Sequence, residues 1–181
     1  MSAPTRLVAL RCLRCDTHVP AQPEEVAWVC SQCGQGLLLD ESQGLAALEI
    51  NYLADLSPDA RGKPFWVAEG RVILARQTYG VGLGKKTAEA ERFWAQGRQF
   101  LIPAYACPLD DLLTLGVQWL EKPLELRGGA PVAFEPVTLS PADLHALGEF
   151  IVLAVEAGRA DNLRTVEFSL NLGTPAMWIL P

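Results

Sequence analysis

Four of the five cysteines in this chain form two closely spaced pairs near its N-terminus. Cys12 and Cys15 make one Cys-x-x-Cys pair, Cys30 and Cys33 make the other, and residues 16–29 separate them. Two cysteines three positions apart can both point inward when the backbone between them turns tightly. Zinc takes four ligands in a tetrahedron, and thiolate sulfur suits it. The spacing therefore predicts one zinc site held by all four side chains.

The predicted ligand set leaves no open position for a water molecule or a substrate. A closed shell of this kind is typical of a structural zinc rather than a catalytic one. A segment of about forty residues cannot bury enough apolar surface to fold unaided. We therefore expect the one Zn²⁺ to supply much of the folding free energy of this segment.

Other fates of these cysteines compete with zinc. A rubredoxin-type iron site uses the same ligands. Disulfides need an oxidising compartment. Residues 1–6 show no apolar segment of a signal peptide, so we expect no signal peptide, and disulfides are disfavoured. A thioredoxin-type redox pair usually comes singly within a βαβ pattern, which does not occur here. Iron, disulfides and free thiols stay open at this point, with zinc favoured by ligand type and compartment.

Residues 7–40 resemble a zinc ribbon of the rubredoxin-like or TFIIB-like class. The resemblance is carried by the four cysteines, by Gly34 directly after the second pair, and by the strand-like Ala27-Trp28-Val29 before it. Glycine adopts positive φ at little cost, which suits the turn after a cysteine pair. The resemblance implies a fold and a structural metal. It implies little about function, since ribbons serve polymerases, ribosomal proteins, kinases and many adaptors.

The rest of the chain predicts an α+β fold. We divide the sequence into a zinc ribbon at 1–41 and an α+β domain at 42–181, with a mixed, largely antiparallel sheet and about three helices. Aromatic and β-branched runs favour strands, and proline or acidic residues near an N-terminus favour helix starts. The predicted strands are 64–76, 98–105, 132–136, 163–172 and 176–180, and the predicted helices are 88–96, 108–120 and 140–158.

Three local features refine this assignment. Gly70 interrupts the first long strand and predicts a bulge or a break there. Thr87 is a plausible N-cap of the first helix. The segment 176–180 follows a Gly-Thr-Pro turn, so we expect it to return as an antiparallel partner of 163–172.

Charge argues against a general nucleic-acid binder. The chain has a net charge of −6, and an acidic protein is a poor binder of polyanions. Within 1–41, three basic residues face five acidic ones, whereas a nucleic-acid-binding module usually shows a basic face. This favours a protein partner, or a purely structural role, for the ribbon.

One stretch has the opposite charge. Between 71 and 98, only Glu89 and Glu91 oppose six basic residues, and Phe93 and Trp94 lie nearby as candidates for stacking on bases. The simplest interpretation is an ordinary solvated face; the alternative is a contact for an acidic partner, a phosphate, RNA or single-stranded DNA. The candidate contacts are Arg71, Arg76, Lys85, Lys86, Arg92 and Arg98.

The glycine-rich segment 80–84 departs from a phosphate-binding loop. Tyr79 stands at the first glycine position of that pattern, and Lys86 stands where serine or threonine should follow Gly84 and Lys85. A surface loop is the better interpretation.

No catalytic motif is evident in the sequence. The leading hypothesis is therefore a cytoplasmic zinc-ribbon protein that works through macromolecular contacts, as an adaptor, assembly factor or complex subunit. No apolar run approaches the ~18–20 residues that span a bilayer, so we expect no membrane partner. The alternative is an enzyme whose site lies within 64–170, with the ribbon as an accessory lobe. A deep pocket joining Glu69, Cys107 or His145 would favour that alternative.

Overall fold

The computed structural model describes residues 9–40, 44–54, 56–78, 84–159 and 163–181. Two sheets and three α-helices make up this part of the chain. The α+β class that the sequence predicts is confirmed, and the four cysteines precede the larger sheet. No helix within the described ranges combines the length and apolar character that a bilayer-spanning segment needs.

The smaller sheet is antiparallel and lies next to the cysteines. Its strands, in spatial order, are β1 (Ala27–Val29), β2 (Gly36–Asp40) and β3 (Gly44–Leu48). Successive side chains of a strand point to opposite faces, and the two faces of this sheet have different cores. Trp28 and Leu37 pack around the cysteines, whereas Ala27 and Leu38 pack against the main core of the protein.

The boundary that the sequence suggests after residue 41 falls at 41–43, outside the described residues. The strand β3, which that division places in the second domain, pairs with β2 along its whole length. The division into 1–41 and 42–181 stays a prediction.

The larger sheet is mixed. Four strands lie in the order β4, β8, β5, β6, and β7 also pairs with β5. The pairing of β4 with β8 is parallel, and the other pairings are antiparallel. These strands are β4 (Ile50–Tyr52), β5 (Lys63–Thr78), β6 (Arg98–Pro103), β7 (Leu163–Leu172) and β8 (Ala176–Leu180).

The long strand β5 runs without a break through Gly70, so the predicted interruption there is wrong. Gly70 is instead the position where β5 changes partners. β5 pairs with β8 up to Val67 and with β6 up to Gly70; from Gly70 onward it pairs with β7. A Cβ at Gly70 would lie 2.4 Å from the Phe100 ring. Glycine is needed at this position because an aromatic ring packs directly on the backbone.

The last strand also departs from its prediction. β8 does not pair with β7; both strands pair with β5 on the same side and in the same direction, one after the other. Residues 173–175 only interrupt what is nearly one long strand, and the Gly173 N–H donates to the Glu69 carbonyl at 2.7 Å. The predicted strand at 132–136 is likewise reduced to isolated bridges, at Phe134 and the nearby Val137.

Three helices follow or precede strands of the larger sheet. They are α1 (Gly84–Trp94), α2 (Leu109–Glu121) and α3 (Leu144–Gly158), the last preceded by a 3₁₀ turn at Pro141–Asp143. The Ser140 hydroxyl accepts from the Ala142 N–H at the start of that turn. Thr87 lies inside α1, so its predicted role as an N-cap is wrong.

The main core lies between the larger sheet and the helices. Trp66, Phe100 and Ile102 from the sheet pack there with Leu112 of α2 and Ile151 of α3. The opposite face of the sheet has its own smaller core.

A buried carboxylate links α3 to β5 and α1. The Glu156 side chain is fully buried and lies 3.2 Å from the Arg76 Nε, also fully buried. Its other oxygen accepts from Trp94 Nε1 at 2.8 Å and from Arg159 Nε at 2.7 Å. A buried charge is tolerated only when it is paired and hydrogen-bonded. Arg76 and Arg159 supply the opposite charge for Glu156, and Trp94 and Arg159 supply its hydrogen bonds.

Candidate metal centre

The four sulfur atoms of the two cysteine pairs converge on one point. The Sγ atoms of Cys12 and Cys33 are 3.5 Å apart, and so are those of Cys15 and Cys30. All four lie within 4.8 Å of one another. A tetrahedral ion with bonds of about 2.3 Å to sulfur separates its ligands by roughly 3.8 Å. The four side chains therefore fit one metal ion, and they are too far apart for disulfide bonds of about 2.05 Å.

Each pair lies on a tight backbone turn, and the two turns have the same geometry. The Asp16 N–H donates to the Cys12 carbonyl at 3.0 Å, and the Gly34 N–H donates to the Cys30 carbonyl at 2.9 Å. Both donors have positive φ, +57° for Asp16 and +72° for Gly34. Few residues other than glycine adopt this conformation readily, and aspartate is one of them.

The sequence pointed to Gly34 but not to Asp16. A signal was present, because each residue directly follows the second cysteine of its pair. If the two pairs form the same turn, the residue after Cys15 must adopt the conformation of the residue after Cys33.

The sulfurs compete for protons when no cation lies among them. The side-chain and backbone hydrogen bonds of Thr17 lower the pKa of Cys15 to about 6. A backbone hydrogen bond from Gln35 favours the thiolate of Cys33, but desolvation and the neighbouring thiols raise its pKa to about 12. Four thiolates this close repel one another. A metal cation would remove that repulsion, so the chemistry of the donor set fits one.

Apolar side chains enclose part of the site. Cys12 and Cys30 are buried beside Val19, Trp28 and Leu37, whereas the other two cysteines are half-buried. The indole N–H of Trp28 donates to the Glu25 carboxylate at 2.9 Å. This packing shields the sulfur atoms partly from water. Among the described residues, no fifth ligand joins the four cysteines.

Two of the basic residues between 71 and 98 are held by internal groups. Arg76 is buried against Glu156, so its assignment as a partner contact is wrong. Arg98 is half-buried; its guanidinium donates twice to the Phe93 carbonyl, at 2.9 and 2.8 Å, and lies 3.8 Å from the centre of the Phe93 ring. Trp94 is only 2% exposed, so it cannot stack on bases.

The other four basic residues are exposed; three lie on α1 and one lies on β5. Lys85 and Lys86 are in the first turn of α1, Arg92 is in its last turn, and Arg71 is on β5. The glycine segment before α1 lies outside the described residues, except for Gly84 at the start of the helix.

The residues of the enzyme alternative do not share either of two sizeable cavities. One, of about 720 Å³, lies between β5, β7 and α1, and the other, of about 650 Å³, lies beside the smaller sheet. Glu69, Cys107 and His145 line neither of them. Desolvation, with Asp111 adding to it, raises the pKa of Cys107, which disfavours the reactive thiolate. His145 Nε2 lies 3.0 Å from the Leu170 carbonyl.

The chain was also compared with known proteins. No protein-family model matches it, and neither the curated proteins nor the solved structures gave a match.

Proposed function

We propose that this protein binds one structural Zn²⁺ through Cys12, Cys15, Cys30 and Cys33, and that the metal-bound ribbon serves contacts with another protein. The observation that supports the metal is the convergence of four sulfurs within 4.8 Å. Four thiolates complete a tetrahedral shell, so the ion would organise the chain without performing chemistry. Zinc is favoured over iron because thiolate sites of this shape generally select it.

A contact role for the ribbon is supported by what its first turn exposes. Leu13 lies between Cys12 and Cys15 and is 57% exposed, although it is apolar. Arg14, beside it, is also exposed, while its N–H lies 3.4 Å from the Cys12 sulfur. The metal would therefore fix the conformation of a turn that presents one apolar and one basic side chain. Such a pair suits a protein surface with an apolar pocket and an acidic rim.

Nucleic acid is the weaker partner. The net charge is −6, and two of the six candidate basic contacts are held by internal groups, Arg76 by Glu156 and Arg98 by the Phe93 carbonyl. Binding to phosphates needs several cations on one face. The four that stay exposed are divided between a strand and the two ends of a helix.

The test is affinity purification of the tagged full-length protein from its native cells, with metal analysis of the same sample. We expect one zinc per chain and a co-purifying protein. A Leu13→Ser variant should retain the zinc and lose the partner, and a Leu109→Ser variant, which changes an equally exposed leucine on α2, should keep both. A sample with no metal, or a partner that ignores Leu13→Ser, would contradict the proposal.

A further inference from the structure

The solvent-facing side of α3 is apolar. Four of its exposed side chains are apolar, and we call them the outer stripe: Ala146, Phe150, Leu153 and Ala157; His145 at one edge is exposed as well. Phe150 is 50% exposed and Leu153 is 40% exposed. The opposite side of the helix is buried in the main core. A helix at a protein surface normally presents polar side chains to solvent, so the outer stripe calls for an explanation.

The neighbouring helix α2 does not share this apolar solvent-facing side. A Cβ at Gly116 of α2 would lie 2.5 Å from the Ile151 side chain of α3, so the two helices pack closely. Apart from Leu109 at its first position, the exposed side chains of α2 are polar: Asp110, Asp111, Thr114, Gln118 and Glu121. α2 therefore has an ordinary solvent face, and α3 does not.

The order of side chains along the outer stripe is self-complementary. The sequence reads small, large, large, small, and successive members are separated by 4, 3 and 4 positions. That alternation is the seam along which two helices pack. If a second α3 lies antiparallel across a two-fold axis, Phe150 meets the partner's Leu153, and Ala146 meets the partner's Ala157. Each large residue then has a large partner, and alanines at the ends let the helices approach.

We propose that the outer stripe is the centre of a two-fold interface between two copies of this chain. A two-fold interface uses the same patch on both subunits and must fit itself, which the stripe does. The stripe itself carries no charge. His145 and Glu149 border it and contact each other, with His145 Nδ1 3.7 Å from the Glu149 carboxylate.

The area of the proposed interface indicates how tightly two copies should bind. A helix the length of α3 is about 22 Å long, and with α2 alongside at about 8–10 Å the layer is roughly 20 Å wide. Two such layers face to face bury about 900 Å² in total, below the roughly 1,200–2,000 Å² of stable specific interfaces and within the range of weak, transient ones. The apolar stripe would be the centre, and the polar face of α2 would be the rim. We therefore expect a reversible dimer with a micromolar dissociation constant.

The test is analytical ultracentrifugation of the zinc-loaded full chain over a concentration series from about 1 to 200 µM. The wild type should dimerise within that range. Leu153→Glu should weaken the dimer by at least about tenfold, and Ile73→Glu should not. Ile73 is the matched control because it is more exposed, at 77%, and lies on β5. Circular dichroism melts confirm that both variants fold.

Three results would overturn the proposal: a wild type that stays monomeric throughout, a Leu153→Glu protein that dimerises normally, or an Ile73→Glu protein that loses the dimer equally. A monomeric wild type whose stripe instead binds another protein's helix would count against a second copy as the occupant.

A pair of double variants tests the register. In the antiparallel arrangement, Phe150→Glu with Leu153→Lys places unlike charges across the axis, and Phe150→Glu with Leu153→Glu places like charges there. The first should recover more dimer than the second. Equal behaviour of the two would overturn the antiparallel pairing, because in a parallel pair each position meets its own copy.

Discussion

A buried carboxylate in the main core and four converging cysteines beside the smaller sheet differ in the positive charge that lies close to them. In the sheet domain, Glu156 lies between Arg76 and Arg159, so the chain supplies its own cations. Beside the smaller sheet, four sulfurs converge and apolar side chains pack around them. In the zinc proposal, the positive charge at that site comes from solution.

With zinc bound as proposed, we expect the two regions to respond to different variables. The stability of the larger sheet should depend on packing and on an internal ion cluster, whereas that of the segment with the four cysteines should depend on metal concentration. The smaller sheet lies between them, with one face on each core. Four changes test this contrast, from the largest expected effect to the smallest.

Removing the metal should unfold the ribbon and leave the larger sheet folded. Apparent binding free energies of structural zinc are about 10–16 kcal/mol, far more than this small core supplies. In hydrogen exchange after chelation, or in a Cys12→Ser, Cys30→Ser variant, the amides of Cys30, Gly34 and Leu39 should lose protection, and those of β5 and β6 should keep it. Cys107→Ser is the control and should retain the metal. If the ribbon amides stayed protected in metal-free protein, the folding of the ribbon would not depend on the metal, and the proposed difference between the two regions would be wrong.

Glu156→Gln should destabilise the sheet domain by about 3–5 kcal/mol, because it leaves the buried Arg76 without its counter-charge. Urea unfolding at saturating zinc measures this change. Glu149→Gln on the same helix is the control; that carboxylate is 46% exposed, and its loss should change the free energy of unfolding by less than about 0.5 kcal/mol. Zinc affinity should stay the same in both variants. A shared loss of zinc affinity would show that the two clusters are coupled.

Gly34→Ala should cost about 1–2 kcal/mol, because an L residue is strained at positive φ. A Cβ at Gly34 would meet nothing within 4 Å, so the cost comes from the backbone alone. A competition titration with a zinc dye should show affinity about tenfold weaker. Gly128→Ala is the control, since its Cβ also meets nothing and its φ is not positive. Unchanged zinc affinity in Gly34→Ala would mean that the turn does not limit metal binding.

Asp16 is the equivalent position in the turn of Cys12 and Cys15, and replacing it with glycine should raise the zinc affinity. Asp16→Gly removes a strained side chain, so zinc affinity should rise by a few fold, equivalent to about 0.5 kcal/mol. Asp16 also lies 3.3 Å from Arg11, but both side chains are exposed, at 83% and 57%, and such a pair contributes little. Asp16→Ala separates the effects, since it loses the ion pair and keeps the strain. Weaker binding by Asp16→Gly would show that the carboxylate matters more than the backbone.

The parts of this structure that the sequence predicted correctly are those encoded locally. The convergence of the four cysteines follows from the spacing within each pair, and the starts of α2 and α3 follow from Pro108 and Ser140 with their neighbours. The class of the fold follows from alternating apolar patterns that are each only a few residues long.

The errors concern contacts between distant parts of the chain. Local pattern did not show that β8 would pair with β5, more than 100 residues earlier, instead of with the adjacent β7. Nor did it show that Gly70 makes room for Phe100, or that Arg76 is buried against Glu156. A lone arginine in a basic stretch looks like a surface residue until its partner, 80 positions away, is known.

One junction of the chain sets how the ribbon can move. β3 ends at Leu48 and β4 begins at Ile50, so Glu49 alone joins the two sheets. A connection of one residue allows little relative movement, so a force that a bound protein exerts on the ribbon would be transmitted to the larger sheet. A few flexible residues inserted there would leave the packing of Ala27 and Leu38 on the main core to orient the ribbon, and any partner that senses the angle of the ribbon would then bind more weakly even though every contact residue is unchanged.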